Sequence, residues 1–377
     1  SVPIALLVAI ASSTAVFTAT PFLLPAVSDR FDVAVSTAGW MSTAQLAGFV
    51  LASWVGGRFL RPVRSVFVVG MLVGVVANLA SAAAPTFEVL ALTRFVSGLS
   101  LGFAAWIAWQ AAFGDIAKTG DVAVVGPITG VIMSPAIAIL LESIGVRWLF
   151  VVLALITAMP LLWTMQVPQL DQVRPPRTRH APTRPARVIL IGLGLLTLGG
   201  SSVFVYSAAI GRDLDGLSPL TISLLFSGNA LAGIPSARWT GRRGSAGVWF
   251  LMTALCALAM ASSRNPIVFG SALVGWGFVF FMGTPAAFNL LASRSNYPEE
   301  RAGDAQAVMA LGRVFGPIMG GMLLAAGSAS TLGVVAAAVI ALGACLLLFI
   351  EQQRHAAPAQ FDGWKPQASS VDAAKDA

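Results

Sequence analysis

The stretch Leu46–Arg58 reads LAGFVLASWVGGR, and Leu231–Arg243, in the other half of the chain, reads LAGIPSARWTGRR. The two stretches share Leu-Ala-Gly, Ala, Trp, Gly and Arg at the same spacing, without a gap. Shorter echoes follow in the same order, among them Gly102-Phe103 with Gly277-Phe278 and GPITG with GPIMG. Because the echoes are collinear, they predict a duplicated chain whose two halves share one structural plan.

The composition predicts an integral membrane protein. Of the 377 residues, 57% are hydrophobic and 10% are charged, and the mean hydropathy is +0.83. A soluble domain carries about 25% charged residues, whereas roughly 20 apolar residues form a helix that spans a bilayer. We therefore expect an all-α protein with twelve transmembrane helices in two pseudo-symmetric six-helix bundles. The expected spans are 2–27, 38–57, 64–84, 87–111, 122–143, 148–167, 187–210, 217–237, 246–263, 266–290, 305–327 and 330–350.

The distribution of Lys and Arg predicts the orientation. With both termini in the cytoplasm, the outer segments hold only Arg30, Arg147, Arg212 and Arg264, and the other loop cations lie inside. This asymmetry predicts that the loop cations contact anionic inner-leaflet lipids. We expect a protein of a bacterial inner (plasma) membrane. The asymmetry accounts for the net charge of +7 without a nucleic acid partner.

One long polar segment interrupts the apolar pattern and predicts the domain organisation. Residues 168–187 are rich in Pro and Arg, which indicates an exposed cytoplasmic linker, with contact to anionic lipid as an additional role. This linker separates an N-terminal bundle, 1–167, from a C-terminal bundle, 188–350. The mixed, Ala/Ser/Asp-rich segment 351–377 is expected to be a disordered cytoplasmic tail.

Several motifs resemble those of the major facilitator superfamily. Arg94-Phe-Val-Ser-Gly98-Leu-Ser-Leu-Gly102 is similar to the Arg-x-x-x-Gly-x-x-x-Gly motif of the fourth helix of that family. Gly126-Pro127-x-x-Gly130 resembles the Gly-Pro motif of antiporters, and Gly316-Pro317-x-x-Gly320 is its counterpart in span eleven. The opening repeat falls where the family has a Gly-x-x-x-Asp-Arg-x-Gly-Arg-Arg loop, but Gly57 and Ala237 replace the Asp.

The resemblance implies a monomeric secondary transporter that moves a small organic, amphiphilic solute by alternating access. The layout looks most like the drug and sugar efflux branch, which implies proton-coupled export. No cofactor, metal or catalytic residue is expected, and we predict that the chain is not an enzyme. A membrane-embedded enzyme lacks support because no HExxH motif, pair of mid-span aspartates or intramembrane His is present. A non-transporting sensor would need a signalling domain.

Two basic residues, Arg94 and Arg313, are predicted deep within spans, where a charge is costly unless it is paired or faces water. No acidic residue is predicted at mid-span. For Arg94 three roles stay open: a structural and proton-linked role, contact with an anionic substrate, and bonds to backbone carbonyls. Arg313 is predicted to be structural. The alternative to proton-coupled efflux is a uniporter or anion exchanger that binds substrate through Arg94 and also Arg313.

The resemblance places the substrate cavity between helices one, four, seven and ten, and implies an aromatic lining that suits amphiphilic solutes. The predicted cavity residues are Phe17, Thr20, Arg94, Trp106, Trp109, Gln110, Phe204, Tyr206, Trp276, Phe280 and Asn289. The predicted gating or structural residues are Gln45, Arg58, Gly98, Gly102, Gly126, Pro127, Asn229, Arg243, Arg313, Gly316 and Pro317. The alternative for each aromatic residue is contact with lipid, and for each small residue it is tight helix packing.

Overall fold

A computed structural model of the chain describes residues 2–60, 62–112, 116–167, 180–239 and 241–353. The described residues form α-helices joined by short connections and contain no β-strand, so the all-α prediction is confirmed. The helices are α1 Ile4–Phe31, α2 Val35–Phe59, α3 Arg64–Ala83, α4 Phe87–Ala112, α5 Ile116–Ala158, α6 Arg184–Phe204, α7 Ser207–Asp215, α8 Pro219–Ala237, α9 Ala246–Ser262, α10 Pro266–Ser293, α11 Pro298–Ala326 and α12 Ala329–Gln352. A 3-10 helix, Met159–Gln166, continues α5.

The helices divide differently from the predicted spans at two places. Predicted span 122–143 and the first part of predicted span 148–167 belong to the single element α5, whose 43 residues are broken at Gly145 (φ 75°, ψ 172°). A straight helix of that length would measure roughly 65 Å, twice the bilayer core, so the break divides α5 into two crossings. The rest of the second span is the 3-10 helix Met159–Gln166. Predicted span 187–210 is instead split into α6 and α7 at Val205–Tyr206.

Eight helices within the described ranges are long and apolar enough to cross a membrane by length and composition. Helices α2, α8 and the 17-residue α9 are not among them. Both α2 and α8 pack against the opposite half of the chain. Part of the surface of each of these two helices is therefore covered by protein. A helix that is partly covered by protein does not need apolar residues on every side.

The ends of the predicted domains are only partly described. Residues 168–179 of the predicted linker and 354–377 of the predicted tail lie outside the described ranges. Helix α6 begins at Arg184, inside the segment that we assigned to the linker, because the Thr183 hydroxyl accepts the Ala186 N–H and caps it. Helix α12 continues to Gln352, just beyond the predicted start of the tail.

The two halves repeat one close helix crossing. A Cβ atom at Gly98 of α4 would overlap the Gln45 carbonyl of α2, and one at Gly277 of α10 would overlap the Asn229 carbonyl of α8. Glycine at these positions lets the backbones touch, as is common for helix pairs in membranes. By this contact Gly277 corresponds to Gly98, not to Gly102 as the sequence echo suggested.

The halves meet mainly along two helix pairs, α2 with α11 and α5 with α8, and α1 also contacts α7. We use "inner" for the face at which α1 begins, which is predicted to be cytoplasmic, and "outer" for the face at which α1 ends. On this definition α2 and α8 run inward, whereas α5 up to Gly145 and α11 run outward. The depth of each contact between the halves follows from its position along these helices.

Candidate functional site

Tyr206 joins the two halves near the outer face. It lies at the break between α6 and α7, and its side chain is fully buried. The phenol hydroxyl donates a hydrogen bond to the Pro317 carbonyl of α11 at 2.9 Å and lies 3.4 Å from the Ser36 carbonyl of α2. A Cβ at Gly39 would overlap this hydroxyl, and one at Gly321 would come within 2.8 Å of it. Glycines on both halves thus form a slot that the tyrosine fills.

Two further contacts close the outer half of the interface. The Thr43 hydroxyl of α2 donates to the Val314 carbonyl of α11 at 3.3 Å. The rings of Phe22 in α1 and Phe226 in α8 lie 5.1 Å apart. We call the contacts made by Phe22, Ser36, Gly39, Thr43, Tyr206, Phe226, Val314, Pro317 and Gly321 the outer seam.

The α5–α8 contact depends on a proline. Pro135 in α5 has no N–H, so the carbonyl of Val131, four residues earlier, lacks its usual donor. The Ser227 hydroxyl of α8 donates to that carbonyl at 2.8 Å. A hydrogen bond between the halves therefore uses an acceptor that the proline leaves unpaired.

The inner ends of the halves are not joined in the same way. Every hydrogen bond between the halves for which both partners are described is one of those given above. At the inner ends of α2 and α4 and just after α8, Trp54, Trp109 and Trp239 are about half exposed, at 55%, 45% and 48%. The contacts between the halves that are given above thus lie at mid-depth or nearer the outer face.

An aromatic cluster adjoins the outer seam and shares Phe22 and Phe226 with it. Phe204 of α6 contacts Phe226 of α8 and Trp276 of α10, with ring centroids 5.3 Å and 6.0 Å apart. Phe22 extends the cluster to α1 through Phe226. Phe204 and Trp276 were predicted to line the cavity, whereas Phe22 and Phe226 were not singled out. Their signal in the sequence was weak, since an isolated Phe in an apolar helix usually contacts lipid or protein.

Arg94 is enclosed within the N-terminal half. Its side chain has no exposed surface, and its guanidinium donates to Gln45 Oε1 at 2.9 and 3.1 Å and to Asn78 Oδ1 at 2.7 Å. Asn78 in turn donates to Thr157 at 3.1 Å, and the Phe150 ring lies 5.3 Å from the guanidinium carbon. The structure thus places Arg94 between helices of one half, not on a cavity surface, because two neutral amides bind it there.

The other predicted cavity residues are not brought together in one surface. Phe17 packs edge-on against Phe49 of α2 at 5.4 Å, and Trp106 packs against Gly56. Trp106, Thr20 and Tyr206 are buried. Partly exposed or exposed side chains are those of Phe17, Trp109, Gln110, Phe280 and Asn289.

Among the predicted gating residues, Arg243 makes several hydrogen bonds to backbone carbonyls. Its guanidinium donates to the carbonyls of Ser236, Trp239 and Phe281 at 2.7 to 3.0 Å. Pro285 leaves the Phe281 carbonyl without a helical donor, so Arg243 fills that vacancy and ties the end of α8 to α10. The pKa of Arg243 is lowered from its usual value by burial.

The remaining gating residues have varied surroundings. The Asn229 amide donates to the Leu273 carbonyl at 2.7 Å, between α8 and α10. Gly316 packs closely on α6, and Gly126, next to Pro127, leaves room for a Cβ. Arg313 is only partly buried and has no hydrogen bond or ion pair with any described residue. The Arg58 side chain lies outside the described part.

Comparison with known proteins identifies the family. The sequence model described as Major Facilitator Superfamily matches residues 5–313. This chain belongs to the major facilitator superfamily. It is therefore an integral membrane protein of a transporter family, in keeping with the prediction that it is not an enzyme. No curated protein matches the sequence significantly.

Solved structures of this superfamily share the fold at low identity. The nucleoside transporter NupG superposes with a TM-score of 0.72 at 12% identity, covering 93% of this chain and 100% of NupG. A bacterial homologue of the human lysosomal transporter Spinster, in an inward-facing and occupied conformation, gives 0.65 at 15% identity, covering 92% and 93%. The human organic anion transporter MFSD10 (TETRAN) gives 0.63 at 14% identity, covering 91% and 97%.

Proposed function

We propose that this protein is a secondary transporter that moves a small organic, amphiphilic solute by alternating access. The observation that carries the proposal is the outer seam, a set of contacts between the two similar bundles in the outer half of their interface. Two similar bundles that rock about a central site would expose that site first to one face and then to the other. In our proposal, the structure represents the state in which the site faces the cytoplasm.

The aromatic cluster supports an amphiphilic solute. Phe204 and Trp276 lie beside the outer seam, and in our proposal a substrate that enters from the inner face stops against them. Aromatic walls with a few polar groups are typical of sites for ring-bearing small molecules. The three solved relatives are named as transporters, one of nucleosides and one of organic anions. In our proposal this chain acts as a monomer in a bacterial inner membrane, with bundles 1–167 and 188–350.

The finer proposal is proton-coupled export. It rests on the resemblance of the Arg94 and Gly126-Pro127 motifs to those of antiporters. The described carboxylates all lie near helix ends or in loops, so a proton carrier would have to act close to one face. The second candidate is a uniporter or anion exchanger, and the unpaired guanidinium of Arg313 favours it.

A ligand screen followed by flux measurement tests the proposal. The purified protein would be screened by thermal shift against drugs, sugars, lipids and organic anions, because a ligand of the native state raises the apparent stability. Each compound that binds would then be followed in proteoliposomes containing a pH-sensitive dye. We expect solute flux that a pH jump accelerates, with protons moving in the opposite direction.

The three outcomes separate the proposals. Compounds that bind but never cross the bilayer would contradict transport altogether. Flux without proton movement would contradict proton coupling and leave the uniporter or exchanger. Flux with stoichiometric proton movement would support the antiporter. Empty liposomes and liposomes containing heat-denatured protein are the controls for leakage.

A further inference from the structure

Arg313 of α11 has a different environment from Arg94, the other arginine within a membrane span. The Arg94 guanidinium is fully buried and bound by two amides. The Arg313 side chain retains exposed surface and has no hydrogen-bonding or ionic partner among the described residues. An arginine near mid-membrane is costly unless it is paired or faces water. The surroundings of Arg313 therefore need an explanation other than internal pairing.

The direction of Arg313 follows from the contacts of its own helix. Leu311, Phe315 and Met322 are more than half exposed, at 53%, 55% and 67%, so they mark the lipid face of α11. At 3.6 residues per turn, Arg313 lies roughly 160 to 180° around the helix from these three residues. It therefore points away from lipid, towards the space between the halves.

The depth of Arg313 in the membrane follows from the contacts of its neighbours on α11. Pro317, one turn further out, accepts the Tyr206 hydroxyl of the outer seam, and the adjacent Val314 accepts Thr43. Towards the inner face the same side of α11 becomes exposed at Gln306 and Ala302. Arg313 thus lies at the inner edge of the outer seam, and its side chain retains some exposed surface.

No carboxylate of the described chain is placed to neutralise Arg313. Asp304 is nine residues earlier on α11, roughly 13 Å along the axis, and is paired with Arg301 at 2.7 Å. Glu88 and Glu142 lie at outer helix ends. A guanidinium has five N–H donors in a planar fork that matches a carboxylate or phosphate. Its natural partner at this position is an anion that arrives from the inner face.

We propose that Arg313 is the anion-binding residue of the cleft, and that the transported solute carries a carboxylate or phosphate group. This inference rests on the proposed function and names its substrate class. Gly316, one turn outward from Arg313, packs on Ser201 of α6, and Gly200 beside it contacts the Trp276 ring. The aromatic cluster is therefore about one helical turn further out than the guanidinium. A solute with an acidic group and a ring could meet both.

Matched acid and neutral probes test the inference. The pairs are 2-naphthoate with 2-naphthamide and adenosine monophosphate with adenosine, and Kd is measured on the purified full chain. We expect at least one acid to bind about tenfold more tightly than its neutral partner, as a charge-assisted bidentate contact gives. The same measurement is repeated for Arg313→Gln and Arg313→Lys. Arg242→Gln, which removes an exposed loop cation, is the matched control.

Arg313→Gln should reduce the acid preference to less than about twofold, and Arg313→Lys should retain part of it, since Lys keeps the charge but loses the fork. Arg242→Gln should bind like the wild type. An unchanged melting temperature without ligand shows that each variant is folded. The inference is overturned if no acid binds better than its neutral partner, or if Arg313→Gln keeps the preference. Neutral solutes that still bind and cross the membrane would leave the proposed transport function intact.

Discussion

At the residue scale, the burial of Arg94 depends on two neutral amides. Asn78 Oδ1 accepts the shortest of the three hydrogen bonds, and no described carboxylate balances the charge. Removing one hydrogen-bond partner of a buried charged group lowers the free energy of unfolding by more than the net contribution of that hydrogen bond. The reason is that the charge is then buried without solvation. Asn78→Leu should therefore destabilise the protein by about 1–3 kcal/mol. Unfolding in detergent measures the change.

A double-mutant cycle isolates the cause of this loss. In an Arg94→Met background the charge is absent, so Asn78→Leu should cost clearly less than it does in the wild type. Ser53→Ala, which removes a 3.3 Å bond to the Gly102 carbonyl between α2 and α4, is the control that should cost the same in both backgrounds. If the effects of Asn78→Leu and Arg94→Met on the free energy of unfolding were strictly additive, the hydrogen bond between these two residues would not contribute to stability.

At the element scale, Pro135 and Ser227 connect α5 to α8. Hydrogen bonds between helices in membranes contribute about 0.6 kcal/mol on average, which is roughly a threefold change in an equilibrium. Ser227→Ala should therefore shift the protein about threefold towards opening at the outer face. Pro135→Ala should act in the same direction, because residue 135 would then supply an N–H to the Val131 carbonyl and compete with Ser227.

The reactivity of a single thiol measures this shift. A Thr43→Cys reporter in the outer seam, in a background of Cys256→Ala and Cys345→Ala, is labelled with a membrane-impermeant maleimide. Ser223→Ala removes only a bond within α8, to the Leu220 carbonyl at 2.7 Å, and should leave the labelling unchanged. Equal labelling in the Ser227→Ala and Ser223→Ala variants would show that the α5–α8 bond does not hold the outer side closed.

At the scale of the whole molecule, rocking bundles must open one face as they close the other. A methyl group at Gly39 would overlap the Tyr206 hydroxyl, so Gly39→Ala should force the outer seam apart. If one equilibrium governs both faces, labelling of the outer Thr43→Cys reporter rises and labelling of an inner Gln306→Cys reporter falls by a matching factor. Both reporters are read in the cysteine-free background.

Gly126→Ala is the matched control for this change, since its Cβ would lie 3.8 Å from Thr14, an ordinary contact. It should alter neither reporter. An outer face that opens while the inner reporter keeps its reactivity would mean that the two gates act independently, which excludes rigid rocking.

The sequence by itself determined that this chain enters a membrane as helices and is built from two related halves. Hydropathy and the opening repeat are local properties, and the bilayer forces apolar segments into helices whatever their neighbours. The resemblance to the superfamily singled out Phe204 and Trp276 as cavity residues, and it did not single out Phe22, Phe226 or Asn78. Those residues acquire a role only through contacts with distant helices.

Only the tertiary structure decided which arginine is enclosed and which faces the cleft. Arg94 and Arg313 are alike in sequence, each being a cation in an apolar span. Their surroundings differ because helix rotation places Arg94 against Gln45 and Asn78, and Arg313 between the halves. The closed outer seam depends likewise on a slot of glycines from α2 and α11 around Tyr206. The rotation of each helix about its axis and the close approach of helix backbones are set by packing between helices. No local pattern in the sequence specifies that packing.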